Sequence, residues 1–125
     1  SLALSRHVPT WSYQFDYQNA PFFIPWADLK AVHSAELQYI LGRPMSFSRA
    51  SFKDQENGLA DSRMTYWGQF ARSGDPNGAG QAIWPAYDGS DQTLLFNERN
   101  SVATGVHEEV CRFWEALPYL RPAYQ

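Results

Sequence analysis

The 125-residue sequence predicts an α/β fold, laid out as one segment over residues 1–125, and three observations carry that prediction. Near the start, Trp11, Tyr13 and Phe15 alternate with Ser12, Gln14 and Asp16, the period of a half-buried strand. From residue 57 to 74, Ala60, Met64, Trp67 and Ala71 recur at helical spacing, with Phe70 widening the stripe. Toward the end, a short strand at Thr93 to Phe96 is followed by a second helical stripe of Val106, Val110, Phe113, Trp114 and Leu117.

The elements follow in order. Residues 1 to 9 lack clear periodicity, so the first element is the strand at Trp11 to Phe15. Asn19 to Trp26 (NAPFFIPW) reads as a loop, because Pro21 and Pro25 each push the preceding residue toward extended geometry. Ala35 to Leu41 is apolar-rich, long enough for one or two helical turns, and is closed by Gly42 and Pro44. Arg43 to Gln55 is polar and irregular, with Phe47 and Phe52 as anchors. The helix from Asn57 is expected to start on Asn57 or Asp61 and to stop at Gly74, with Pro76 blocking its continuation. Asp75 to Gly80 is turn chemistry without the Lys and Ser/Thr of a phosphate-cradling loop. Glu108 and Glu109 suit the first turn of the last helix, and Pro118 ends it.

Composition narrows the function classes. Hydrophobic residues make up 44% and charged residues 18%, as in soluble globular chains. A formal net charge of -3 gives no electrostatic footprint for nucleic acid and no polybasic segment for an anionic membrane. No apolar run approaches the ~20 residues that span a bilayer. Neither a basic n-region nor an apolar h-region is present. Five tryptophans in a chain of this size call for partner surface beyond the chain itself. Cys111 is the only cysteine; it reads either as a buried free thiol or as half of a bridge to another segment. The compartment stays open.

The chemistry centres on His33, one of three histidines, in the stretch AVHSAELQYILG. That stretch resembles the histidine loop of the type-B carboxylesterases, the cholinesterase and para-nitrobenzyl esterase group of α/β-hydrolases. Further similarities follow in series. MTYWGQFARSGDPNG resembles the penultimate long helix and turn, IWPAYD the Trp-Pro-x-Tyr-Asp segment, and CRFWEALP the terminal Cys-x-Phe-Trp helix. Together they cover most of residues 11 to 118.

The resemblance implies the C-terminal part of an α/β-hydrolase fold, late strands of the central sheet with packing helices, incomplete on its own. It implies that His33 is the triad histidine, which takes the serine proton and later returns it to the leaving alkoxide. Glu36 then matches the family carboxylate just after the histidine, in a buried structural role rather than as triad acid, since the acid precedes the histidine in the chain. Phe22, Phe23 and Trp26 stand either as lining of an acyl or alcohol pocket or as cover for the core. No serine has glycines two residues away on both sides, so no nucleophile elbow lies in this chain. The implied partners are the N-terminal portion of the same enzyme and a small ester. The resemblance implies no cofactor. A metal held by His33 and Glu36 is not expected from the residues, since only His7 and His107 could add imidazoles and neither shows ligand spacing. Two other readings remain at this stage: a non-catalytic adhesion or interaction domain of the same fold, and a free-standing domain of unrelated function.

Overall fold

A computed structural model of the chain describes residues 2–20, 30–45 and 51–117. The elements in order are α1 (Leu2–Ser5), β1 (Tyr13–Phe15), α2 (Leu37–Ile40), α3 (Asp54–Ser73), β2 (Gln92–Phe96), β3 (Ser101–Thr104) and α4 (Glu108–Glu115). The four-residue α1 is too short to leave a periodic signal, and β3 is exposed at Ser101, Val102 and Thr104, so neither shows in the sequence pattern.

The strands form one mixed sheet in the order β1-β2-β3. β1 runs parallel to β2, pairing Tyr13 with Leu94 and Phe15 with Phe96. Parallel pairing demands a long crossover, and here the crossover carries α2 and α3. β3 returns antiparallel, pairing Gln92 with Thr104 and Leu95 with Ser101. As the middle strand, β2 buries Thr93, Leu94 and Phe96, on both of its faces.

α3 begins at Asp54, three residues before the expected start, so the cap lies on neither Asn57 nor Asp61. The Lys53 N–H donates to Glu56 Oε2 at 2.8 Å, satisfying one donor at the helix entrance. Gly74 ends the helix as the sequence reads, at φ 76° with its N–H donating to the Phe70 carbonyl at 2.8 Å. The buried face differs from the expected stripe. Glu56, Leu59, Ala60, Arg63 and Tyr66 are buried, while Met64 and Phe70 are 40% and 47% exposed. Tyr66 sets this rotation: its hydroxyl donates to the Ala82 carbonyl at 2.6 Å, and its ring meets Trp84 and Phe96 edge-on.

The core joins Tyr17, Tyr39, Leu59, Tyr66, Trp84, Leu94 and Phe96. Trp84 is clamped from two sides. Its backbone N–H donates to Asn77 Oδ1 at 2.7 Å, and Asn77 Nδ2 donates back to the Trp84 carbonyl at 3.0 Å. Its indole N–H donates to the Ser12 carbonyl at 2.9 Å, which ties this segment to the β1 entrance. The turn after α3 thus holds the tryptophan that fills the space between helix and sheet.

α4 forms where the second helical stripe predicts it, but its apolar face is uncovered. Val110, Phe113 and Trp114 are 53%, 60% and 52% exposed. Cys111 is accordingly exposed, correcting the expectation of a buried thiol, since nothing among the described residues lies over this face. Trp84 is buried, Trp11 and Trp67 are half-buried, and Trp114 is exposed, so the rings divide between core and open surface. Among the described residues no helix is long and apolar enough to cross a membrane.

Candidate functional site

His33 lies on the turn that leads directly into α2, within the crossover from β1 to β2. The turn is built by the backbone. Ala35 N–H donates to the Val32 carbonyl at 3.0 Å, and Leu37 N–H donates to the Ser34 carbonyl at 3.2 Å. Ser34 has φ 67°, a left-handed conformation that costs a non-glycine residue about 1 kcal/mol. Such a conformation persists where surrounding contacts over-determine it.

Those contacts lie on the inner side of the turn. Ala35 is buried. Gln38 is also buried; its Nε2 donates to the Ala35 carbonyl at 3.0 Å, and its Oε1 accepts from the Met45 N–H at 3.3 Å. Tyr39 stacks on Phe52 with centroids 5.0 Å apart, seating α2 against the segment that leads into α3. His33 is exposed, while Ser34 and Glu36 beside it are half-buried, so Glu36 is less enclosed than the buried carboxylate the sequence led us to expect. Glu36 occupies the N-cap position of α2 and its carbonyl accepts from Tyr39 and Ile40. The structure therefore brings His33 and Glu36 together on one anchored turn. Phe22, Phe23 and Trp26 lie outside the described residues.

One charged residue escaped the sequence reading. Arg63 is fully buried on the inner face of α3, where burial holds its pKa down at about 10 against the attraction of Tyr13, Glu36 and Tyr39. Its position, three residues after Ala60 and four after Leu59, was the available signal; the apolar Met64 drew the predicted stripe one residue further along.

A cavity of about 400 Å³ opens elsewhere, between α1 and α3, lined by Val8, Trp11, Trp67, Phe70 and Trp84 among others. Neither His33 nor Glu36 lines it. No group of three or more His, Cys, Asp or Glu side chains is placed to hold a metal ion among the described residues.

Comparison with solved structures defines the class. The chain superposes on a thermophilic PNB esterase with a TM-score of 0.71 at 24% identity, covering 88% of this chain and 23% of that one. The strands and helices described above are thus part of an α/β-hydrolase fold. The model of the carboxylesterase family matches residues 1–114, and the chain belongs to that family. Carboxylesterase 5A of Canis lupus familiaris is 33% identical over 126 residues, covering 90% of this chain and 21% of that protein. Acetylcholinesterase of Gallus gallus is 35% identical over 113 residues, covering 87% and 14%. The chain spans about a fifth or less of the length of these curated relatives.

Proposed function

We propose that the complete protein hydrolyses carboxylic esters through a covalent acyl-serine, with His33 as the general base and acid. The family match over residues 1–114 supports the reaction class. The observation that carries the residue assignment is the anchored turn, which leaves the His33 ring exposed while Ala35 and Gln38 fix its backbone. A histidine that serves a hydroxyl from another part of the polypeptide must be open on one side and held on the other. Imidazole suits both proton transfers near neutral pH, because its ordinary pKa is about 6.5.

In this reading the nucleophile, the acid and the oxyanion donors come from the N-terminal portion of the same enzyme. The substrate is a small ester, and Phe22, Phe23 and Trp26 are the sequence's candidates for its pocket. Glu36 supports the turn rather than reacting. No metal or cofactor enters the reaction, because attack, proton transfer and acyl release all use side chains.

The test is His33→Ala in the complete protein, assayed with a chromogenic ester. A fall in kcat of about 10³-fold or more is expected, in line with loss of a triad member. In the same assay the isolated 125-residue chain stays silent, since an imidazole without an aligned hydroxyl offers little. Near-unchanged kcat in His33→Ala overturns the assignment.

A further inference from the structure

α2 starts late for the chain that precedes it. Its N-cap residue, Glu36, already has helical angles, φ -72° and ψ -25°. The break lies two residues earlier, at Ser34, with φ 67°. Residues 33 to 36 hold neither Gly nor Pro, so local preference does not stop a helix there. A helix running back through them would relieve the left-handed conformation of Ser34 and would place His33 on its first turn.

The hydrogen bonds show what stops it. In a regular helix the Tyr39 N–H donates to the carbonyl four residues back, that of Ala35. Here it donates to the Glu36 carbonyl at 3.0 Å, an acceptor it shares with the Ile40 N–H at 3.3 Å. The Ala35 carbonyl takes the Gln38 side-chain amide instead, with Nε2 donating at 3.0 Å. Ala35 and Gln38 are both buried. The other end of that side chain is also held, since the Met45 N–H donates to Gln38 Oε1 at 3.3 Å. The Gln38 backbone is fixed in turn by the Arg43 N–H, which donates to its carbonyl at 3.0 Å. An amide tied in this way competes with the backbone for the Ala35 acceptor, as local side-chain bonds do.

We propose that Gln38 is a positioning residue for His33: its side-chain amide takes the carbonyl that α2 needs in order to grow backward, and so keeps His33 on a turn outside the helix. The inference rests on the esterase reading above. An imidazole carried on a helix face points elsewhere than one carried on the turn, and a base displaced by about 1 Å already loses much of its rate.

Gln38→Met, Ser34→Gly and the double substitution in the complete protein test this, each measured for ester turnover and for thermal midpoint. Methionine fills the space of glutamine flexibly and has no donor. Gln38→Met is expected to lower kcat about 10- to 100-fold. KM should stay within about 2-fold, as for an interaction that acts at the transition state. Glycine accepts a positive φ and disfavours a helix interior. Adding Ser34→Gly to Gln38→Met should therefore bring kcat back to within about 3-fold of Ser34→Gly alone. The midpoint should fall alike with and without Ser34→Gly, because the Met45 bond is lost in both. An unchanged kcat in Gln38→Met overturns the proposal. So does a loss that Ser34→Gly fails to repair, and so does a kcat that tracks the midpoint throughout, which marks a purely structural role. If Gln38→Met does not fold, Ser34→Ala decides. Alanine favours the helix, so its kcat should lie at least about 2-fold below that of Ser34→Gly; equal rates overturn the proposal as well. Failure of the esterase reading shows separately, as undiminished turnover in His33→Ala.

Discussion

Tyr66 is fully buried and donates its phenolic O–H to the Ala82 carbonyl at 2.6 Å. Burial raises its pKa above the usual tyrosine value, and a hydrogen bond involving Asn100 offsets this in part. An acid whose folded pKa lies above its unfolded one contributes stability below about pH 10, and that stability is lost as pH rises through the folded value. Tyr66→Phe removes both the bond and the ionisation. The variant should be less stable than the wild type by about 1 kcal/mol at pH 8, the net worth of one buried hydrogen bond. At pH 11 the gap should narrow, because only the wild type then meets the opposing cost of ionising a buried phenol. Urea denaturation at the two pH values measures it; a gap of the same size at both counts against the assignment. At this scale the sequence was only partly readable. Tyr66 and Arg63 look like polar-tipped residues in a helix; the spacing of Arg63 from Leu59 and Ala60 was a weak signal, and the packing of Trp84 and Phe96 shows that both face inward.

At the scale of elements, the period and the stop signals carried most of the information. The alternation at Trp11 to Phe15 gave β1, with Trp11 itself bridging to Ala86 outside the strand. Gly74 and Pro76 ended α3, and Gly42 closed the turn after α2. What the pattern missed follows from tertiary packing. The face of α3 turned because Tyr66 meets Phe96 of β2 and Leu59 joins the same buried cluster, and no local preference encodes that choice. The α2–α3 junction shows how narrow such choices are. Gly42 has φ 68°, and a Cβ there would stand 2.6 Å from Met64 Sδ and 3.3 Å from its Cε. Gly42→Ala should therefore cost about 1–2 kcal/mol from the left-handed backbone. The Met64 tip is flexible and 40% exposed, so it can yield. Adding Met64→Ala should recover only the steric part of the loss. Full recovery in the double variant, read from urea midpoints, would show that the backbone conformation contributes nothing.

On the scale of the whole molecule, the sequence marked the surfaces that need cover before any coordinate did. It pointed to the histidine turn and to a surplus of large rings, and it holds no G-x-S-x-G stretch that could supply a serine to that turn. The structure locates the surplus. Val110, Phe113 and Trp114 form one uncovered face on α4, and β1 stands at the end of the sheet with one edge unpaired among the described residues. A strand in parallel pairing is ordinarily covered on both faces and flanked within its sheet, and an open edge beside exposed aromatic surface invites association. The chain spans 21% of the length of carboxylesterase 5A, so in that relative most of the fold lies outside the matching stretch. The isolated 125-residue chain should consequently self-associate and bind the apolar dye ANS. Phe113→Ser with Trp114→Ser should reduce both, since they remove the two largest exposed rings of α4, which pack edge-on at 5.3 Å. Size-exclusion chromatography and dye fluorescence read the two effects. A compact, dye-silent monomer of the unsubstituted chain would mean that these surfaces are self-sufficient and need no further cover.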